Sequence, residues 1–236
     1  MSVTQLPQSS RNANQVLEKR PLLEAKIRRS IRLRRLVICV SVIGLVCGLA
    51  YFRKDIKYRF VVKRWGTVVP QQIYRSGQIS QWLIEEQLKR HQIGTIVDMT
   101  GYDQHNPDQV TEVAAAERLG IKIERHRLFG DGTGDVGSYV AALQAILDCQ
   151  QAGEPVLVHC HGGSERTGGV VFCYRTLFQG WDPSVARREM MSYGWNSDGN
   201  SPLVEYMDRQ MPELCRQLVE RGLLDSVPTQ LPSLKL

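Results

Sequence analysis

A ten-residue segment, residues 159–168, carries the most distinctive chemistry of this 236-residue chain. It reads His-Cys-His-Gly-Gly-Ser-Glu-Arg-Thr-Gly and follows residues 155–158, an apolar run that predicts a buried strand. The apolar residues 170–172 predict a helix soon afterwards, so the segment contains a strand-to-helix turn. The unpaired N–H groups and partial positive charge of a helix N-terminus favour an anion at such a turn. The segment therefore predicts a phosphate-binding loop that holds a reactive thiol.

Three residues of this loop could act on a bound phosphate. Cys160 has positive surroundings, which lower the pKa of a thiol below its free value of about 8.5, so we expect a thiolate that attacks phosphorus. Arg166 can hold two phosphoryl oxygens with its planar guanidinium group. Thr167 is placed to hydrogen-bond the sulfur as it departs, and we expect His159 to orient the loop rather than act as a base. The residues expected to bind substrate through the loop are His161, Gly162, Gly163, Ser164 and Glu165.

Residues 159–168 resemble the His-Cys-x-x-Gly-x-x-Arg-Thr-Gly signature of the protein tyrosine phosphatase superfamily, in its dual-specificity branch. The resemblance covers roughly residues 65–210. Residues 73–77 resemble the opening Tyr-Arg-Ser-Gly element of atypical members, and the pairs at 174–175, 180–181 and 189–190 resemble a later segment of bacterial members. The resemblance implies hydrolysis of phosphate monoesters through a phosphocysteine intermediate, with a phosphorylated protein as substrate.

The resemblance also implies an aspartic acid that protonates the leaving group, on a separate loop some thirty residues before the cysteine. Residues 128–135 occupy that region, and we expect Asp131 to be this acid because it follows the predicted strand most closely. Asp135 is the alternative, although either side chain could instead cap a turn or helix. Glu165 is a second candidate acid or base inside the loop. Asp98, at the end of another predicted strand, could line the mouth of the site.

Other interpretations of the loop remain open from the sequence. The substrate could be a phosphoinositide or another lipid phosphate instead of a phosphorylated protein. An inactive phosphate-binding module would use the same loop, and a sulfurtransferase also mounts a thiolate among backbone N–H groups. An ordinary strand–turn–helix corner with a core cysteine is the simplest alternative. No metal-binding carboxylate cluster is recognisable, so we expect no metal and no other cofactor.

From residue 65 onward, short β-branched runs alternate with helical patterns, which predicts an α/β domain. We expect a mainly parallel central sheet flanked by helices, the cysteine-phosphatase fold, preceded by one transmembrane helix. The predicted strands are 72–74, 95–99, 121–127 and 155–159, and the predicted helices are 80–91, 107–119, 136–151, 166–178, 183–193 and 202–221.

Positive charge is concentrated in the first quarter of the chain. Residues 1–64 contain 15 Lys and Arg against 3 Asp and Glu, whereas residues 65–236 contain 15 against 21. This distribution argues against a nucleic-acid-binding domain and favours a basic segment beside anionic lipid. The chain is uncharged from 36 to 52, long enough for a membrane anchor. A cleaved signal peptide is the alternative.

The expected organisation has five parts. A disordered basic N-terminal segment (1–35), the transmembrane helix (36–52) and a basic linker (53–64) precede the phosphatase domain (65–225) and a C-terminal tail (226–236). Cations flank both ends of the apolar segment, with eight before it and six after it, which slightly favours an extracytoplasmic catalytic domain. The six scattered cysteines predict neither a disulfide scaffold nor a zinc site, and nothing in the sequence indicates an oligomeric state.

Overall fold

The computed structural model describes residues 8–196 and 201–235, and within the first helix the side chains of residues 28–50 and 57–60. It contains two compact units, Met1–Asp55 and Ile56–Leu236. The chain forms a helix, two strands and then alternating helices and strands, ending in three helices. The strands are β1 (Gly66–Val69), β2 (Ile73–Gly77), β3 (Thr95–Asp98), β4 (Lys122–Arg125) and β5 (Val156–Cys160). The helices are α1 (Gln8–Phe60), α2 (Ile84–Arg90), α3 (Pro107–Leu119), α4 (Val136–Ala152), α5 (Glu165–Leu177), α6 (Pro183–Ser192) and α7 (Pro202–Glu220).

Helix α1 contains the apolar segment. Residues Arg28–Ala50 have a mean hydropathy of 2.1, and the apolar window within them is not buried at all in the protein, so their length and composition suit a membrane span. The helix also extends through residues 8–35 and 53–60, where the sequence predicts disorder and a linker. Residues 8–35 are rich in Leu, Glu, Lys and Arg and residues 53–60 in Lys and Arg, which favour helix, and both segments continue a helix that needs no new nucleus.

The five strands form one sheet in the order β1-β2-β5-β3-β4. Strands β2, β5, β3 and β4 are parallel, and β1 pairs antiparallel with β2 at one edge. The predicted, mainly parallel sheet is therefore confirmed. The short strand β1 is missed by the sequence analysis because Gly66–Val69 contains only four residues and lies beside a Pro-containing turn.

Two apolar cores cover the two faces of the sheet. Val156, Val158 and Cys160 of β5 contribute to one core with α4, α5, α6 and α7, whereas Leu157 contributes to the other with α2 and α3. This alternation follows from the two-residue period of a strand. Each predicted helix from residue 80 onward has a counterpart in the structure, with ends within a few residues of those expected.

The C-terminal segment packs against α7, in contrast to the tail expected from residue 226. Leu234 is buried in the larger core. Asp208 of α7 accepts a hydrogen bond from the Ser233 hydroxyl at 2.9 Å and forms an ion pair with Lys235 at 3.1 Å. The apolar residues Leu231 and Leu234, spaced three apart, supply the contact that anchors this segment.

Candidate active site

The carboxyl ends of three adjacent parallel strands converge at one edge of the sheet. Cys160 ends β5, and its register partner Gly77 ends β2. Asp98 ends β3 beside His159. Because β5 is central and its first four residues are fully buried, the strand delivers Cys160 to a fixed point at the start of the loop that leads into α5. Open α/β sheets bind their ligands at this edge.

The sulfur of Cys160 is buried within the curl of the loop. The backbone N–H of Gly163 donates a hydrogen bond to Sγ at 3.1 Å, and the thiol-bearing residue is only 1% exposed. Burial raises the pKa of the Cys160 thiol, but the Arg166 guanidinium, the Thr167 hydroxyl and nearby backbone N–H groups lower it by more. The net pKa lies below the ordinary value, so the site favours the thiolate.

Two consecutive carbonyl groups of the loop are held from outside by arginines. Nη1 of Arg64 donates to the Gly162 oxygen at 2.8 Å, and Nη2 of Arg75 donates to the Gly163 oxygen at 2.9 Å. Arg75 is fully buried and lies 3.9 Å from the centre of the Tyr193 ring. Burial lowers the pKa of Arg75 to about 10, so the side chain is still a cation at neutral pH. With their oxygens turned outward, these peptides direct their N–H groups inward.

Gly163 is the position where the loop requires glycine. Its φ is +76°, a conformation that residues with a side chain rarely adopt. A Cβ at this position would lie 2.5 Å from the backbone nitrogen of Gly77 and 2.9 Å from the Ser76 oxygen. The loop can therefore approach β2 closely only because Gly163 has no side chain.

A buried polar cluster lies beside the start of the loop. Asp98, Glu112 and His159 each offer a ligand atom within 4.8 Å of the others, which is close enough to consider a metal ion. However, Asp98 already pairs with Arg125 at 3.2 Å, and Glu112 pairs with His159 at 3.3 Å. The two carboxylates thus have two cationic partners within the protein, since His159 is protonated at neutral pH. The cluster is electrically compensated without a metal ion.

An open cavity of about 530 Å³ lies beside the phosphate loop. Arg166 and His161 form its loop side, and Arg127 lies across from them on the segment that follows β4. Partial burial and the charges of Lys63 and Arg166 lower the pKa of His161. The other lining residues come from the β3–α3 loop and the segment after β4: Thr100, Gly101, Tyr102, Asp103, Asn106, Gln109, Leu128, Phe129 and Gly130. The cavity is large enough for a phosphorylated side chain, and its lining includes the cations Arg127 and Arg166.

The two candidate general acids are not part of this cavity lining. Asp131 accepts hydrogen bonds from the backbone N–H of Thr133 at 3.0 Å and from its hydroxyl at 2.8 Å, and it lines a separate depression beside α7. Asp135 caps α4 by accepting from the Gly137 N–H at 3.0 Å. The loop that contains Asp131 is held by Tyr139, whose buried hydroxyl donates to the Gly132 oxygen at 2.6 Å.

Glu165, where the phosphate loop enters α5, lies close to the Asp131 loop. Partial burial raises the pKa of Glu165, the indole N–H of Trp195 opposes this increase, and the Asp131 carboxylate adds to it. The backbone of Glu165 also lies close to Gly132, since a Cβ added there would be 3.5 Å from the Glu165 carbonyl carbon. The Asp131 carboxylate thus disfavours ionisation of Glu165.

The structure places Cys160, His161, Arg166 and Thr167 in one loop, which Gly162, Gly163, Ser164 and Glu165 complete. Sequence analysis missed Arg64, Arg75 and Glu112 as supports of this loop. In the sequence, Arg75 is part of residues 73–77, which resemble an element of the family, and Arg64 is one of six cations that follow the apolar segment. The signal for Glu112 is an acidic residue on the buried face of its helix, which also contains Gln109, Ala115 and Ala116.

Comparison with known proteins identifies relatives of this chain. The sequence model described as "Tyrosine phosphatase family" matches residues 61–209. "Dual specificity protein phosphatase TpbA" of Pseudomonas aeruginosa is 39% identical over 61 residues, which are 25% of this chain and 28% of that protein. "Dual specificity protein phosphatase OPG106" of vaccinia virus is 30% identical over 106 residues, 44% of this chain and 58% of that protein. The matches thus span less than two thirds of either relative.

Solved structures share the fold. The crystal structure of Pseudomonas aeruginosa TpbA superimposes with a TM-score of 0.51 at 22% identity, covering 62% of this chain and 84% of that one. The core catalytic domain of the PP-IP phosphatase SIW14 from S. cerevisiae gives a TM-score of 0.52 at 23% identity, covering 69% and 95%. At these identities the superpositions establish the α/β fold with its mostly parallel sheet.

Proposed function

Since the chain belongs to the tyrosine phosphatase family, we propose that it hydrolyses phosphate monoesters through a phosphocysteine intermediate with Cys160 as nucleophile. The observation that carries this proposal is the hydrogen bond from the Gly163 N–H to Sγ of Cys160, together with the lowered pKa of that thiol. A buried thiolate at the base of a loop of N–H groups can attack phosphorus without a further base.

In the first step, the thiolate forms a bond to phosphorus and the bond from phosphorus to the ester oxygen breaks. Arg166 binds two of the phosphoryl oxygens with its guanidinium group, and the N–H groups of residues 161–166 bind the remaining charge. The phosphoryl group is thereby held with the sulfur, the phosphorus and the leaving oxygen in line. A proton passes to the leaving oxygen from a carboxylic acid.

In the second step, water attacks the phosphocysteine, the S–P bond breaks and the thiolate leaves. The Thr167 hydroxyl, which helps to lower the pKa of Cys160, stabilises the departing sulfur in the same way. The group that donated the first proton accepts one from the attacking water. The products are inorganic phosphate and free enzyme with its thiolate restored.

Asp131 is our proposed general acid, and its loop must close for it to act. In the described conformation the Asp131 carboxylate accepts from Thr133 instead of facing Arg166. Glycines at 130, 132 and 134 give the loop the freedom to rearrange over a bound substrate. Glu165 is the alternative donor, because burial favours its protonated form.

Phosphotyrosine or phosphoserine/threonine in a protein is the proposed substrate. Support comes from the relatives, which are named as dual-specificity protein phosphatases, and from the open cavity of about 530 Å³ beside Arg166. A phosphoinositide or other lipid phosphate is the alternative substrate. Comparing a phosphotyrosine peptide, a phosphoserine peptide and phosphoinositide vesicles as substrates separates these possibilities.

We further propose that residues 36–52 anchor the protein as a single-pass membrane helix, with the catalytic unit outside the cytoplasm. The exposed apolar surface of residues 36–50 and the cations on both sides of the segment support an anchor. Alkaline-phosphatase and fluorescent-protein fusions after residue 64 would report the side. A fluorescent cytoplasmic fusion would overturn the proposed orientation, and N-terminal sequencing of the mature protein would detect cleavage.

The experiment that tests the activity uses the full chain in detergent micelles with a reductant and a metal chelator. Hydrolysis of an aryl phosphate is measured for the parent and for Cys160→Ser, Arg166→Lys and Asp131→Asn. We expect no activity from Cys160→Ser and a loss of about 100-fold or more from Asp131→Asn, since general acids contribute on that scale. A folded but inactive parent that binds phosphate would favour the binding-module alternative, and persulfide formation on Cys160 with thiosulfate would favour a sulfurtransferase.

A further inference from the structure

One peptide group of the phosphate loop connects the nucleophile to a distant arginine. The oxygen of the Gly162–Gly163 peptide accepts from Nη1 of Arg64 at 2.8 Å, and the N–H of the same peptide donates to Sγ of Cys160 at 3.1 Å. In a trans peptide the C=O and N–H bonds point in opposite directions. A side chain that holds the oxygen therefore also fixes the direction of the N–H.

This peptide is one of the easiest in the loop to rotate, because it joins two glycines. Glycine restricts its φ and ψ angles less than any other residue. If the peptide turned over, its carbonyl oxygen would face the thiolate, which would remove a hydrogen bond and add a repulsive dipole. Both changes would raise the pKa of Cys160 and weaken the binding of an oxyanion.

Arg64 is itself held in place by its surroundings. Its φ is +50°, and it follows Lys63, whose carbonyl oxygen accepts from the Gly77 N–H at 2.7 Å. Its guanidinium group lies against Gly194, where an added Cβ would be 2.9 Å from both Nε and Nη2. The arginine is thus half-buried among the segment after α1, the phosphate loop and the loop after α6.

We propose that Arg64 is a positioning residue for the phosphate loop. By holding the Gly162 oxygen, Arg64 keeps the Gly163 N–H on the sulfur of Cys160 and in the set of donors that receives the phosphoryl group. The importance of this role for catalysis rests on the proposed phosphatase function. The pKa of Cys160 and the affinity for an oxyanion, which report the role, can be measured without that function. It places a determinant of catalysis only four residues after the end of α1 at Phe60.

The test measures two properties of the full chain in detergent micelles that need no turnover. The first is the pKa of Cys160, from the pH dependence of its alkylation by iodoacetamide, quantified on the Cys160 peptide by mass spectrometry. The second is the affinity for tungstate, a phosphate-like oxyanion, by titration calorimetry. We expect Arg64→Gln to raise the pKa and weaken tungstate binding about tenfold, the usual effect of losing one such hydrogen bond.

Lys63→Gln is the matched control, because it removes the same charge from the neighbouring residue without removing a side-chain hydrogen bond to the loop. Arg64→Lys, which keeps the charge but not the planar guanidinium group, should give an intermediate result. Equal effects of Lys63→Gln and Arg64→Gln would mean that Arg64 acts only through its charge, and would overturn the proposal. Parent values in Arg64→Gln would overturn it as well.

A second variant changes Gly194, which the Arg64 guanidinium group contacts. Gly194→Ala places a Cβ where the guanidinium group lies, whereas Gly222→Ala has a similar positive φ of +70° with nothing within 4 Å. We expect only Gly194→Ala to raise the pKa of Cys160, and no further increase when it is combined with Arg64→Gln. An unaltered pKa in Gly194→Ala contradicts the proposal even if Arg64→Gln fails to fold. An inactive parent would remove the proposed function but leave these pKa measurements valid.

Discussion

Nε2 of His159 lies 3.3 Å from Oε2 of Glu112, and both side chains are fully buried, with His159 directly before Cys160 in the chain. Burial alone lowers the pKa of His159, but the carboxylates of Glu112 and Asp98 raise it by more, to about 9. An imidazolium group therefore precedes Cys160 at neutral pH and depends on Glu112 for its charge. This relationship links the stability of the fold to pH.

The pH dependence of stability should reflect this pair. The folded pKa of His159 is above the unfolded value of about 6.5, so its contribution is fully present below pH 6.5 and is lost as pH rises through about 9. We expect Glu112→Gln to lower the free energy of unfolding at pH 6.5 by ~3–5 kcal/mol and to reduce its decline between pH 6.5 and 9. Urea denaturation at several pH values measures both effects.

Glu117→Gln on the same helix is the control for Glu112→Gln. Glu117 is exposed, and we expect its substitution to leave both the stability and its pH dependence unchanged. If the parent and Glu112→Gln lost stability equally between pH 6.5 and 9, the assignment of the raised pKa to this ion pair would be wrong.

Alkylation should reveal the reactive thiol directly. Burial opposes ionisation of Cys160, but Arg166 and the Thr167 hydroxyl overcome it, so the rate of modification by iodoacetamide should level off at a lower pH than that of an ordinary thiol. Arg166→Gln should move this plateau to higher pH. Cys149, Cys173 and Cys215 serve as internal references, because burial raises the pKa of each. A Cys160 that reacts no faster than these three at pH 7 would contradict the proposed nucleophile.

Gly163→Ala should impair both the loop and the fold. The substitution adds a Cβ at 2.5 Å from the Gly77 nitrogen in addition to the cost of a positive φ. Gly153→Ala is the control, because Gly153 has a φ of +69° and open space around its Cβ position. We expect Gly153→Ala to cost about 1 kcal/mol of stability with full activity. Gly163→Ala should cost more and abolish aryl phosphate hydrolysis.

Arg175 should be important for stability rather than for catalysis. Its guanidinium group donates to both carboxylate oxygens of Glu189, at 2.9 and 2.6 Å, and lies 4.0 Å from the centre of the Trp181 ring. Glu189→Gln leaves this buried cation without its counter-ion, so we expect a loss of ~3–5 kcal/mol. Thermal denaturation measures the loss, and the exposed pair Glu213–Arg216 provides the comparison: Glu213→Gln should change the melting temperature little. Equal shifts in the two variants would contradict this prediction.

Much of the catalytic unit could be predicted from sequence because its signals are local. The apolar run before Cys160 and the helical periodicity after Arg166 define the strand, the loop and α5 without knowledge of the rest of the fold. The same applies to α3, where Asn106 caps the helix and Gly120 ends it in the left-handed conformation.

The supports of the loop could not be predicted because they come from long-range contacts. No local pattern indicates that Arg64 donates a hydrogen bond to Gly162, or that Glu112 pairs with His159. The position of Asp131 could not be predicted from the sequence either, because its loop contains several glycines that allow more than one conformation. The N-terminal residues from Gln8 form a helix, although a polar, basic segment is expected to be disordered. Their helix propensity is not visible as apolar periodicity, which is the pattern that the sequence analysis uses.

The two arginine contacts that hold the phosphate loop also have a consequence for biosynthesis. Arg64 and Gly162 are 98 residues apart in the chain, and Arg75 and Gly163 are 88 apart. At a synthesis rate of about 5–20 residues per second, the ribosome completes the loop roughly 5–20 s after Arg64. Contacts of such sequence separation form late in folding, because the intervening chain must be ordered first. The contacts of Arg64 and Arg75 with the loop can therefore form only after most of the domain has been synthesised.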